Sequence, residues 1–338
     1  MPRIGINPSR GKTLEYQPAR TTVAVLVYAP HEAGYFQDRM DVTKATIESI
    51  LANTKAPFDL LVFDNGSCPE MVAYLESLFD QGWIDYLILS KRNIGKLNAL
   101  NIIFKAAPGE IVAYCDDDVF HLPGWLSAHL EIMDTYPNVG AVTGFYIRQR
   151  VGLSSESTLA FVNAQVDTGH PDFKLKRGLL MPKKWEEEYL VNTGRTWEQY
   201  RAETAGMEDI LVTYHGLGAW VSAHHFQMVC PKKVVQEILE EMLPEGWSDQ
   251  VMGRMVELDD RMDAKGYLRL CTKQQTMMLM GNAISEDVAE LAREAGFAVK
   301  SAEITQARRG LMHHLMKFRL IRYPMQAVVN RLYRWLNE

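Results

Sequence analysis

Cysteine is scarce in this chain of 338 residues, and the four present are scattered. Cys68, Cys115, Cys230 and Cys271 form no metal-type pair, which fits a reducing compartment better than a disulfide framework. No apolar stretch approaches the roughly 20 residues needed to span a bilayer. The segment from Met1 to Arg20 is polar, carries Pro and Gly, and lacks a signal-peptide core. The expected location is therefore cytoplasmic. Internal repeats and low-complexity tracts are missing as well. No Gly-x-Gly-x-x-Gly follows a strand-like run, which argues against a dinucleotide-dependent dehydrogenase.

With 47% apolar and 23% charged residues, the composition is that of an ordinary globular protein. The formal net charge of -6 is unevenly spread. Residues 306–338 hold seven Lys/Arg against one acid, Glu338, giving +6 there and leaving -12 on residues 1–305. An acidic body is a poor nucleic-acid binder, whereas a basic tail seeks anionic surfaces. In that tail, apolar residues from Leu311 to Leu336 recur at helical spacing between arginines, in two expected helices parted by Pro324. Two readings stand: a helix packed on the body, or an interfacial helix on anionic lipid at the inner membrane face.

The first third alternates short apolar runs with helix-like stretches. Strands are expected at 22–28, 60–63, 86–89 and 111–114, and helices at 41–53, 70–81 and 96–105, a pattern of βαβ units and a parallel sheet. After Arg148 the pattern loosens, and 149–216 reads as a partly irregular insertion. One strand is expected over 219–230, a helix after Pro231 to Met242, and a helix capped by Ser248 that ends at Gly266.

The last early strand runs into Asp116-Asp117-Asp118. Like charges crowded at a strand end repel, and a divalent cation with oxygen ligands is the natural partner, commonly shared with a substrate's phosphates. Ligands of open α/β sheets bind outside the carboxyl ends of the strands. Four such ends carry polar groups: Pro30-His31-Glu32, Asp64-Asn65-Gly66-Ser67, Lys91 to Lys96, and the acidic run. Together they offer a carboxylate for a base or ribose, cations for phosphate, and a metal site.

In order and spacing these segments resemble family 2 of the glycosyltransferases, with the GT-A fold, a Rossmann-like, mostly parallel central sheet flanked by helices. The resemblance covers roughly Thr22 to Asn282 and rests on Ala29-Pro30-His31-Glu32, Asp64-Asn65-Gly66-Ser67, Asn93-Ile94-Gly95, the Asp-x-Asp pair Asp116 and Asp118, and Pro123-Gly124-Trp125-Leu126. It implies an inverting transfer from an NDP-sugar to an acceptor hydroxyl on a glycan or lipid-linked molecule, in cell-surface glycan or glycolipid synthesis. It implies Mn²⁺ or Mg²⁺ on Asp116 and Asp118. Substrate contacts are implied for Pro30, Glu32, Asp64, Asn65, Lys91, Asn93, Gly95, Lys96, Asp116 and Asp117. It divides the chain into an N-terminal extension (1–20), a nucleotide-sugar half (21–148), an acceptor half (149–305) and the basic tail (306–338).

Two positions depart from the family pattern. The acidic pair that supplies the general base falls on Arg254-Met255, which leaves Asp249 and Glu257 as candidate bases, with Asp249 preferred at an expected helix N-terminus. No His precedes Gly281-Asn282, where relatives often place a metal ligand. His224-His225 and His313-His314 lack helical ligand spacing and read as structural or surface residues. The departures keep open an alternative, a catalytically impaired sugar-nucleotide or glycan-binding protein. A sugar nucleotidyltransferase is disfavoured, because Ala29 to Gly34 lacks the Gly-rich basic signature of that class.

Overall fold

The structure, a computed structural model, describes residues 5–7 and 9–301. The expected helices of the basic tail lie outside the described residues. Twelve strands are present: β1 (Thr21–Val27), β2 (Asp59–Asn65), β3 (Tyr86–Ser90), β4 (Ile111–Asp116), β5 (Val119–His121), β6 (Val139–Thr143), β7 (Phe173–Gly178), β8 (Asp209–Tyr214), β9 (Leu217–Val221), β10 (Gln227–Pro231), β11 (Leu268–Thr272) and β12 (Met277–Leu279). The helices are α1 (Arg39–Asn53), α2 (Pro69–Asp80), α3 (Lys96–Ala106), α4 (Trp125–Thr135), α5 (Glu156–Asp167), α6 (Lys183–Thr193), α7 (Trp197–Glu203), α8 (Lys232–Met242), α9 (Met255–Ala264) and α10 (Glu286–Glu294).

Ten strands form one sheet in the order β3-β2-β1-β4-β10-β6-β11-β9-β8-β7. The pairings make seven of the ten strands run the same way, with β7, β9 and β10 opposed. This is the α/β sheet flanked by helices that the sequence predicts. Every residue of β1 is buried, as a strand covered on both faces requires. Alternation sorts the two faces: Val23, Val25 and Val27 pack with Ile47, Ile50, Met71 and Leu75, while Ala24 and Leu26 pack with Leu97, Leu100, Val235 and Ile238. Four parallel strands, β3, β2, β1 and β4, thus deliver their carboxyl ends to one edge.

The sheet differs from expectation in three places. Residues 149–216 are not an irregular insertion but hold α5, β7, α6, α7 and β8. Their strands pair antiparallel at the margin of the sheet, with β7 at the edge alternating between half-buried and exposed residues, so they lack the continuous apolar runs of β1 and β4. The expected strand over 219–230 is two strands, β9 and β10, parted by residues 222–226. Ser222 there has φ +148°, and a bridge between His224 and Gln227 closes a tight turn. Finally, Ser248 caps no helix. Its N–H donates to Asn98 Oδ1 at 2.8 Å, its carbonyl accepts from Asn98 Nδ2 at 2.7 Å, and Lys96 N donates to the Val251 carbonyl at 2.7 Å. These bonds hold 248–251 against the start of α3, and helix begins only at Met255.

Candidate active site

The acidic run sits where β4 turns into β5, and its three carboxylates have different partners. Asp116 Oδ1 and Oδ2 each accept from Lys96 Nζ at 2.7 Å, and Tyr114 Oη donates to Oδ1 at 2.5 Å. Asp117 is the most enclosed of the three. It accepts from Arg39 Nη1 at 3.1 Å, Thr43 Oγ1 at 3.2 Å and Tyr28 N at 3.1 Å. Among the described residues, Asp118 has only Arg39 Nη1, at 3.5 Å, and its side chain is 28% exposed. Arg39, itself buried, also donates from Nη2 to Asn282 Oδ1 at 2.8 Å.

Two protein cations therefore face three carboxylates. The positive partner expected between the acids is in part Lys96 and Arg39 rather than a metal. Burial, then Asp116 and Asp117, push the Asp118 carboxyl up to about 7, and burial also raises Asp117 against the pull of Arg39. Such under-compensated acids mark functional sites more often than structural ones. Among the described residues, no three His, Cys, Asp or Glu side chains converge as a metal cage. The donor set nevertheless suits a cation shared with phosphates, since Mg²⁺ typically takes one or two carboxylates and fills its shell with phosphate oxygens and water.

The neighbouring strand ends form a connected rim. Asp64 is buried in its own turn, where its carboxylate accepts from Gly66 N at 3.1 Å and Ser67 N at 3.2 Å, and burial raises its pKa. Asn65 Oδ1 accepts from Ile94 N at 2.9 Å and its Nδ2 donates to Asn93 Oδ1 at 3.2 Å, so the second and third strand ends are bonded to each other. That contact needs glycine at 66, where φ is +86° and a β-carbon would lie 2.6 Å from the Arg92 carbonyl carbon. Gly95 (φ +83°) meets the Gln250 carbonyl at the same distance. Ser67 Oγ accepts from Ala29 N at 2.9 Å and ties in the turn that holds Pro30. Glu32 and Lys91 are exposed on this rim.

The two expected bases are placed differently. Asp249 is exposed, in the segment that docks on Gly95 and Lys96, but at no helix N-terminus. Glu257 is engaged elsewhere: its carboxylate accepts from Arg261 Nη2 at 2.6 Å, and Arg261 in turn reaches Glu241 of α8 at 3.1 Å. Sequence reasoning missed Arg39, which sits at the start of α1 and belongs to no motif, and Asn282, whose partner lies 243 positions away. It also missed Asp259, buried and paired with Arg269 at 2.7 Å and His225 at 2.8 Å. The interruption of the apolar run 219–230 by Ser222, His224 and His225 was the available signal for that turn.

Beside the acidic turn opens a cleft of about 810 Å³, lined among others by Leu190, Val191, Trp197, Met280, Asn282 and Ile284. Met280 N donates to the Asp118 carbonyl at 2.8 Å, so the cleft adjoins the carboxylates. Its wall comes from α6 and α7, inside the stretch expected to be irregular.

The profile of the family described as Glycosyl transferase family 2 matches residues 37–187, which span α1 to α6 and include the acidic turn. Residues 37–187 are thus similar to glycosyl transferase family 2. The chain is 26% identical over 270 residues to the O-antigen biosynthesis protein RfbC of Myxococcus xanthus, covering 77% of this chain and 18% of that protein. It is 30% identical over 96 residues to the uncharacterized glycosyltransferase alr2836 of Nostoc sp., covering 28% and 30%. The chain thus spans under a third of the length of these curated relatives. Among solved structures, it is similar to S. aureus TarS 1-349 in complex with UDP-GlcNAc, at 12% identity and a TM-score of 0.42 over 86% of this chain and 69% of that one. It is also similar to the mannosyltransferase PcManGT from Pyrobaculum calidifontis in complex with GDP-Man and Mn2+, at 23% identity and a TM-score of 0.32 over 40% and 37%.

Proposed function

We propose that this protein is an inverting, metal-dependent glycosyltransferase that moves a sugar from an NDP-sugar to an acceptor hydroxyl, in cell-surface glycan or glycolipid synthesis. The observation that carries the reading is the acidic turn: three carboxylates at the carboxyl edge of four parallel strands, faced by only two protein cations. Asp118 and Asp116 would hold Mn²⁺ or Mg²⁺, whose chemistry when bound is to offset charge developing on the departing diphosphate. Lys96 would exchange its carboxylate partner for a phosphate, and Arg39 would keep Asp117 and Asp118 in place. The rim of Pro30, Glu32, Asp64, Asn65, Lys91, Asn93 and Gly95 would receive the nucleotide. The acceptor would enter the cleft beside Asn282 and Trp197. A lipid-linked acceptor and the +6 charge of 306–338 together support an anionic membrane face as the working location.

Calorimetry with UDP and GDP tests the reading. Affinity for one of them should rise when Mn²⁺ is added, and Asp118→Asn should remove the gain. Equal affinity with and without the ion would overturn it. The second reading, a binding protein without turnover, is favoured by Arg254 and Met255 at the place of the family's acidic pair. Metal-dependent nucleotide binding without NDP release from any NDP-sugar would support it.

A further inference from the structure

The missing acidic pair leaves the transfer reading without a base, and the turn between β9 and β10 holds a candidate that its neighbours orient. His225 and Phe226 form the tip of this turn. The Phe226 carbonyl accepts from Asp116 N at 3.0 Å, which sets the tip directly against the acidic run. His225 Nδ1 lies 2.8 Å from Asp259 Oδ2. A carboxylate only accepts, so Nδ1 carries the hydrogen and Nε2 is left with the lone pair in the neutral ring. Nε2 makes no hydrogen bond among the described residues, and the side chain is 13% exposed. Asp259 is fixed in turn by Arg269 Nη2 at 2.7 Å, and both side chains are buried. Arg269 also donates to the Ala223 carbonyl at 2.6 Å and to the Ser154 carbonyl, clamping the same turn. Ser222, at φ +148°, holds a conformation that a residue with a β-carbon rarely adopts. A strained turn, an oriented imidazole and a buried carboxylate behind it form the arrangement by which a carboxylate–histidine pair activates a hydroxyl.

We propose that His225 is the general base of sugar transfer, with Asp259 and Arg269 as positioning residues. The inference rests on the transfer reading above. The acceptor's O–H proton passes to His225 Nε2 as its oxygen bonds to the anomeric carbon. The bond from that carbon to the diphosphate oxygen breaks, and its electron pair leaves with the NDP. The imidazolium keeps its Nδ1 hydrogen on Asp259 and later returns a proton to solvent. Among the described residues, the charged groups in contact with this pair are Asp259 from α9, 2.8 Å from His225, and Arg269 from β11 behind it.

The test uses the full chain with Mn²⁺ and UDP-glucose, UDP-GlcNAc and GDP-mannose, reading NDP released with water as acceptor. His225→Gln should lower release by roughly 10²–10⁴-fold while UDP or GDP affinity stays within threefold. The acid limb of the pH–rate profile should vanish with it. His225→Ala should regain activity when free imidazole is added, which a merely structural role would not produce. Release by His225→Gln within threefold of wild type, or no rescue of an equally well-folded His225→Ala, would overturn the inference and leave the transfer reading standing. No release by wild type from any donor would sink the transfer reading, and the base with it.

Discussion

Asp209 and Asp118 each lie beside an arginine, and they are treated oppositely. Asp209 of β8 is buried and receives five hydrogen bonds: two from Arg148, at 2.8 Å each, and one each from Leu180 N, Met181 N and Tyr146 Oη. Burial pushes its carboxyl up, but Arg148 and the two backbone N–H groups more than offset this, and it lies below the ordinary carboxylate range. Asp118 has one long contact to Arg39, and its carboxyl is pushed up to about 7. The first arrangement fixes α6, α7 and β8 to the sheet, since Arg148 also reaches Glu186 and Tyr200. The second leaves an acid short of partners beside a cleft. Saturation of hydrogen bonds separates the acid that builds the fold from the one that awaits a ligand.

Breaking the saturated cluster should have the largest effect. Asp209→Ala leaves Arg148 buried with only Glu186 to balance it, and loss of one partner of a buried pair costs about 3–5 kcal/mol. The melting temperature should fall by roughly 5–15 °C, with the cleft wall formed by α6 and α7 loosening first. A variant that melts within 2 °C of wild type would show that this network contributes little.

The opposite result is expected at the unsaturated acid. Asp118→Asn should lower turnover by roughly 10²–10³-fold, the size of a lost transition-state electrostatic contact. It should also raise stability near neutral pH by about 1 kcal/mol, because a poorly balanced negative charge is removed. Activity and thermal melting measured on the same sample check both signs. A variant that is less stable than wild type would put Asp118 in the same class as Asp209.

The same contrast explains what was legible in the sequence. Around the acidic run, function sits in loops at the ends of buried parallel strands, so β1, β2, β3 and β4 and their polar ends read almost to the residue. The Asp64 turn, the Asn93 loop and the acids are local in sequence. Their partners are not: Arg39 reaches Asp117 over 78 positions and Asn282 over 243. Around Asp209 nothing is local. Tyr146, Leu180, Glu186 and Asp209 meet only because β7, β8 and β9 pair antiparallel at the sheet's edge, and such strands lack long apolar runs. The turn at His225 was hidden for another reason. Burial on both sides of it made β9 and β10 read as one strand.

A smaller, pH-dependent effect should expose how the two kinds of group combine. Burial lowers His121 to about 3, with His129 adding to it, and burial lowers His129 to about 4. Their ordinary value is about 6.5. Between that value and their folded values, the unfolded chain binds protons that the folded chain does not, so stability falls as pH drops through this window. Asp118 acts in the reverse sense, since its raised value favours the folded state as pH falls below about 7. In wild type the two partly cancel. In Asp118→Asn the largest opposing contribution is removed, so stability should fall more steeply between pH 7 and 5.5 than in wild type, by on the order of 1 kcal/mol. Urea unfolding at the two pH values measures this. A slope no steeper in the variant than in wild type would contradict the assignment.

The smallest effect is expected at Glu257. Its carboxylate and Arg261 form an i,i+4 pair on α9, with the side chains 30% and 35% exposed, and such surface pairs contribute about 0.3–0.5 kcal/mol. It belongs to neither cluster, and its contacts run through Arg261 to Glu241 and Lys265 between α8 and the end of α9. Glu257→Gln should therefore change the unfolding free energy by less than about 0.5 kcal/mol and NDP release by no more than a few-fold. Asp249→Asn is the informative partner, because its segment docks on Gly95 and Lys96 at the rim of the site. A 10²-fold loss at Glu257 would mean that α9 turns this face to the acceptor during turnover. A similar loss at Asp249, with His225→Gln unaffected, would move the base to the 248–251 segment. Loss at His225 alone would leave both carboxylates as parts of the surface.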